Sequence, residues 1–296
     1  MNQPENAIVV AVPAVGGDAA LSFAVEEARR SGSPLHLVHV LQLPGGEPYA
    51  MVYGAAMDAA HSALDSAQRR TKELSAGSLS VTTEFVTGGG VVHELAARSE
   101  GARMVVLEHR HLSTLRRLAT RSISNGVAAR AQSRVVVVPE GWEKVPGGTP
   151  VVTAAVQDPQ EADELLRAAF EEARERGAAL VVLHAWWLNN GYDDVAVDVT
   201  AREEWASRVE RELAPVLEPF RARYPMVDVT LDVRHAPPTE AVLDAADRST
   251  LLVLGRRHHR LPFGSHLGPV VRAVLGHSTA PVLVTPEPDV VLAVGP

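Results

Sequence analysis

The chain has 296 residues, a formal charge of −8 at pH 7, 46% hydrophobic residues and no cysteine. This length suits roughly two domains, each able to bury its own core, and the missing thiols exclude disulfides, thiolate nucleophiles and cysteine-ligated clusters. The acidic balance argues against nucleic-acid or anionic-membrane binding; with no apolar run of roughly 18 residues and no signal-peptide pattern in Met1–Asn6, a soluble cytoplasmic protein is expected.

Ala7–Val12 is a short β-branched run that predicts a first strand. Gly16-Gly17-Asp18 reads as a turn, with Asp18 as N-cap of a helix whose Leu21, Val25 and Ala28 repeat at helical spacing up to Gly32. Leu35–Leu41 is apolar almost throughout, as a parallel strand covered on both faces should be, and it carries His39. A helix fits Ala55–Leu74, an alternating strand Ser80–Val86, a helix Val91–Ser99 and a fourth strand Met104–Leu107. A basic loop, a helix near Ser122–Ala131 and a fifth strand Val135–Val138 complete the set. Residues 139–150 then hold three prolines and three glycines, the composition of a linker, and divide a domain 1–146 from a domain 147–296.

The second half runs through the same order. Val151–Val156 leads to Asp158-Pro159, expected as N-cap and first-turn proline of a helix with Leu165, Ala169, Phe170 and Ala173 on one face and Gly177 at its end. Leu180–Trp186 follows, with His184 where His39 stands in the first half. Helices fit Thr200–Arg223, Thr239–Asp247 and Leu267–Leu275, and strands Val227–Val233, Leu251–Leu254 and Val282–Thr285. Each half is therefore expected to be an α/β unit with a five-stranded, doubly wound parallel sheet. The loops at Pro44–Pro48 and Asn189–Asp194 leave the carboxyl ends of the second strands, where open α/β sheets bind ligands. Trp186, Trp187 and Tyr192 sit near that exit, where aromatic residues more often close a core than floor a planar ligand.

The repeat is sharpest after the fourth strands. From Glu108 or Gly255 it is three residues to His111 or His258, then ten to Arg121 or Gly268. Arg103–Arg134 contains seven arginines and one acid, Glu108; Gly255–His277 contains four arginines and no acid. These are basic islands on an acidic body. His109, His111, His258, His259, His266 and His277 fall in or beside them, but the spacing offers no further ligand except Glu108, so no metal site is expected. Gly264-Ser265-His266-Leu267-Gly268 lacks the spacing and the preceding strand of a serine-nucleophile turn.

Element order, length per copy and loop spacing resemble the universal stress protein family in tandem, over essentially the whole chain. The resemblance implies two Rossmann-like, adenine nucleotide alpha hydrolase-like domains that pair their fifth strands into an internal pseudo-dimer, with a further homodimer open. In the nucleotide-binding branch of that family the loop reads Gly, two residues, Gly, nine residues, Gly-Ser or Gly-Thr, and an Asp ends the first strand. Such a loop brings backbone N–H groups close to a triphosphate and ends on a helix N-terminus. Here the C-terminal copy keeps Gly255 and Gly268 but has His258 and Pro269; the N-terminal copy has Glu108, His111 and Arg121 for the three glycines and keeps only Ser122. Pro13 and Gln157 replace the strand-end Asp. Loss of a charge-assisted hydrogen bond, about 1.5–3 kcal/mol, plus about 1 kcal/mol for a strained Cβ weakens a micromolar site roughly a hundredfold.

The resemblance thus implies a non-catalytic stress-response binding or regulatory protein. Its residual nucleotide site, with ATP as the ligand, would use Gln157, Gly255, Arg256, Arg257, His258, Gly268 and Pro269, the arginines meeting phosphates where the family uses backbone. Two rivals belong to other classes. A weak ATPase or phosphotransferase would have to recruit His258, His259 or Ser265, and a protein-interaction scaffold would dock an acidic partner on the arginine islands.

Overall fold

A computed structural model describes residues 3–42, 50–109, 123–144, 147–187, 199–256 and 267–286, without the side chains of 50–52 and 199–203. The first half runs β1 (Ile8–Ala11), α1 (Asp18–Ser31), β2 (Leu35–Leu41), α2 (Ala50–Ser75), β3 (Val81–Thr87), α3 (Val91–Ala97), β4 (Met104–His109), α4 (residues 123–130) and β5 (Arg134–Pro139). The second half runs β6 (Val151–Ala155), a 3₁₀ turn (Pro159–Glu161), α5 (Asp163–Arg176), β7 (Ala179–Trp186), α6 (Val199–Arg223), β8 (Val229–His235), α7 (Pro238–Ala246), β9 (Leu251–Leu254), α8 (Pro269–His277) and β10 (Val282–Val284). Among the described residues no helix is long and apolar enough to cross a membrane.

The strands form one ten-stranded sheet in the order β3-β2-β1-β4-β5-β10-β9-β6-β7-β8. Within each half every pairing is parallel, because each strand returns through a helix that crosses over the sheet. The halves meet through β5 and β10, which pair antiparallel as Val137↔Val282, Val136↔Leu283 and Val135↔Val284. This is the internal pseudo-dimer expected from the family. Joining the two fifth strands satisfies two open edges at once, which would otherwise present unpaired N–H and C=O groups.

Helices cover both faces. Side chains of α1, α2, α5 and α6 bury one face in a cluster that includes Ile8, Phe23, Phe170, Leu213 and Leu283. Side chains of α3, α4, α7 and α8 bury the other, around Val9, Leu95, Val127, Val137, Val242 and Val274. Both clusters draw residues from both halves, so the hydrophobic core is continuous across the seam. Trp142 of the linker packs edge-on against Phe23 of α1, with ring centroids 5.6 Å apart.

Two capping expectations need correction. Asp18 is the first residue of α1, and the N-cap is Gly17 at φ 101°, with no side-chain cap of its own. Asp158 does accept a hydrogen bond, from the Gln160 N–H at 2.9 Å, but it caps the 3₁₀ turn, and α5 starts only at Asp163. The two carboxylates leave the cap position in opposite directions: α1 starts one residue earlier than the sequence pattern suggests and takes Asp18 into its first turn, whereas α5 starts later, after the separate 3₁₀ turn.

Candidate functional site

The carboxyl ends of β1, β2 and β4 open into a cavity of about 350 Å³ in the N-terminal copy. Val12, Val38, Val40 and Leu107 contribute strand-end walls, Leu95 closes it from α3, and Ile123 and Ser124 contribute from α4. Glu108, one residue before the end of β4, reaches across to the turn after β1. Its Oε1 accepts the Gly17 N–H at 3.1 Å, and its Oε2 accepts the N–H groups of Ala19 at 2.9 Å and Ala20 at 3.3 Å. The first turn of a helix has N–H groups without intrahelical partners and a partial positive charge, so a carboxylate is the natural occupant. Glu108 therefore holds, from within the chain, the place an anionic ligand would take on α1.

Gly17 makes this contact possible. An added Cβ there would lie 2.9 Å from Pro13 Cδ, and the φ of 101° disfavours any side chain. Behind the cavity, the His39 Nδ1–H donates to the Val12 carbonyl at 2.8 Å, and in the second copy the His184 Nδ1–H donates to the Val156 carbonyl at 3.0 Å. Burial pushes both rings below the ordinary histidine value despite the opposing effect of these hydrogen bonds. Each ring thus ties its second strand to the end of its first strand.

The C-terminal copy is built differently. Gly255 stands where Glu108 stands in the first copy, and a Cβ added to it would meet Leu165 and Thr285 only at 3.9 and 4.0 Å, ordinary contact. Gln157 is exposed beyond β6, which pairs with β9, so Gln157 and Gly255 share one end of the sheet. Leu267 joins Leu254 in one buried cluster, which brings Gly268 toward the same end. Gly268 caps α8 in an extended conformation without a side-chain cap, and Pro269 occupies the first turn, where its missing N–H costs no helical bond. Arg257, His258, His259, Ser265 and His266 lie outside the described residues, as do His111, Arg121, Ser122, Tyr192 and the loops at 44–48 and 189–194.

Arg256 goes elsewhere. Its Nε–H donates to the Thr285 carbonyl at 3.1 Å, one amino group to the Ala129 carbonyl at 3.1 Å and the other to the Ala131 carbonyl. A guanidinium at the C-terminal end of α4 is favoured by the carbonyls left open there. Arg256 therefore joins the two halves through these carbonyls. Arg103 and Arg134 of the first island are likewise engaged inside the molecule, with Glu175 at 2.6 Å and with Glu171 and Glu172. Among the described residues no group of three or more His, Asp or Glu side chains could hold a metal ion.

Sequence reasoning misses this role of Glu108, reading it as a lost glycine and as the one further ligand the histidine spacing offers. One signal was available: it is the single acid in its arginine-rich segment.

The sequence model of the universal stress protein family matches residues 6–139 and again 150–286. A universal stress protein of Mycolicibacterium smegmatis is 31% identical over 276 residues, spanning 90% of this chain and 92% of that protein. One from Mycobacterium tuberculosis is 28% identical over 295 residues, spanning 96% and 99%. The crystal structure of a universal stress protein from Archaeoglobus fulgidus superposes with a TM-score of 0.71 at 18% identity, covering 96% of this chain and all of that one, a likeness of fold.

Proposed function

The chain belongs to the universal stress protein family, with the family's domain present twice, and from that premise we propose that it is a stress-response binding and regulatory protein without turnover of its own. Its adenine-nucleotide affinity resides in the C-terminal copy. The observation that carries this reading is the contrast at the ends of β4 and β9. In the first copy Glu108 occupies the N–H groups of α1; in the second, Gly255 leaves that space without a side chain and Gly268 opens α8 without a side-chain cap. A phosphate there meets the N-terminal field of α8 and no carboxylate from the end of β9, whereas in the first copy Glu108 stands at the end of β4 and already occupies the N–H groups of α1. The non-catalytic reading is supported by the employment of the polar groups near the clefts among the described residues. Glu108 is engaged by three backbone N–H groups, and His39 and His184 are tied to strand carbonyls.

The test is thermal unfolding with and without millimolar ATP, paired with a phosphate-release assay. Ligand at about 100 times its dissociation constant adds about 2.7 kcal/mol, a shift of several degrees. The expected result is a shift in the native protein that disappears in Gly268→Trp, survives in Glu108→Gln, and is accompanied by no released phosphate. No shift with ATP overturns the nucleotide reading, and phosphate release abolished by Gly268→Trp overturns the non-catalytic one.

A further inference from the structure

The N-terminal cleft remains an open cavity although its anion position is filled. About 350 Å³ equals roughly a dozen water molecules at about 30 Å³ each and falls in the range of small-ligand pockets. Among the described residues the walls are chiefly aliphatic: Val12, Val38, Val40, Leu95, Leu107 and Ile123. Among the described residues the charged side chain on its wall is Glu108, whose two oxygens accept the N–H groups of Gly17, Ala19 and Ala20. An incoming phosphate would find those donors taken and a like charge in place. An uncharged ligand meets neither obstacle and gains the burial of apolar surface.

We infer that the cleft lined by β1, β2, β4, α3 and α4 is a second binding site, specific for uncharged, largely apolar small molecules and selective against phosphate esters, with Glu108 as the selectivity residue. The two copies then divide their labour: one bare glycine position admits anions, and one internal carboxylate excludes them. This site is independent of the nucleotide reading of the C-terminal copy, so either can fail without the other.

The probes are naphthol, uncharged at pH 7, and naphthyl phosphate, titrated by their own fluorescence against the native protein. The expected result is that naphthol binds roughly tenfold or more tightly than its phosphate ester, a preference set by the like charge of Glu108. Glu108→Gly should improve binding of the ester while leaving naphthol bound. Glu108→Gln, which removes the charge at nearly constant volume, should move the ester in the same direction and serves should Glu108→Gly not fold. Ile123→Trp, at a half-buried position on the wall, should abolish naphthol binding at unchanged melting temperature. Gly268→Trp should leave naphthol binding intact. The inference is overturned if naphthol does not bind at millimolar concentration, if the ester binds as tightly as naphthol to the native protein, or if folded Ile123→Trp still binds naphthol.

Discussion

Glu84 is the side chain whose environment makes the sharpest demand on pH. It lies on edge strand β3 and receives the Arg98 guanidinium on both oxygens, at 2.9 and 2.7 Å, while the His36 ring nitrogen Nε2 lies 3.0 Å from Oε2. Arg98 also holds Glu94 at 2.8 Å, so one buried guanidinium ties the edge strand to the end of α3. These hydrogen bonds, those of Arg98 foremost, hold the Glu84 carboxyl down to about 2, against an ordinary value of 4.5. A carboxyl lowered on folding stabilises the native state fully above its ordinary value and loses that contribution as pH falls toward about 2. With the Glu84 side chain 23% exposed, solvent screening leaves about 1–2 kcal/mol of this effect. Glu84→Gln should therefore lower the urea midpoint at pH 7 and lose its deficit as the pH approaches 2; a deficit independent of pH would refute the assignment. Nothing in the local sequence marks this pair, because strand and helix are joined by an arginine fourteen residues downstream. Glu108 was hidden in the same way: its carboxylate acts on N–H groups about ninety residues earlier in the chain.

At the scale of elements the sequence was far more legible. Parallel strands buried on both faces leave continuous apolar runs such as Leu35–Leu41, and the structure returns that strand with the same bounds. The largest errors lie at helix starts: α2 begins at Ala50 instead of Ala55, and α5 begins after a separate 3₁₀ turn. Helix α6 shows why pattern outranks propensity. It contains Pro215 and Pro219 in its interior, yet Val209, Leu213, Leu217 and Phe220 bury a face that holds it helical. Both prolines are exposed, on the side where a helix bends convexly toward solvent and the freed carbonyls can be hydrated. A proline inside a helix costs about 3 kcal/mol through the lost N–H bond and the ring clash, offset by about 1 kcal/mol from the stiffer unfolded chain. Pro219→Ala should consequently stabilise the protein by about 1–2 kcal/mol, visible as a rise of a few degrees in melting temperature. An unchanged or lower melting temperature would show that the proline is needed to fit α6 against β8.

At the scale of the whole molecule, the pairing of β5 with β10 followed from the family pattern, but the charges behind it did not. Glu27 and Glu172 are each the tenth residue of their helices, α1 and α5, and both contact one guanidinium, that of Arg176, across 149 positions of sequence for Glu27. Arg134 holds Glu171 and Glu172 beside them, and Arg30 holds Glu27. All three central side chains are buried: Glu27 is 2% exposed, Glu172 0% and Arg176 6%. Breaking such a cluster by removing one partner leaves uncompensated buried charge and costs about 3–5 kcal/mol, whereas replacing the whole set by apolar residues is often neutral. Arg176→Met should therefore be strongly destabilised, and Glu27→Leu with Glu172→Leu in the same chain should recover most of the loss. The pH dependence adds a second check with a definite sign. Burial already pushes the Glu27 carboxyl up, with Arg176 acting against it, so removing Arg176 pushes it further up. A carboxyl raised on folding favours the native state while it is protonated, and that advantage is lost as pH rises through the folded value. Arg176→Met should accordingly gain stability as the pH falls from 7 to 5, a trend absent from the triple variant. If the single variant instead weakens on acidification, the cluster is not what sets its stability, and the two halves are held by the β5–β10 ladder and the continuous apolar core alone.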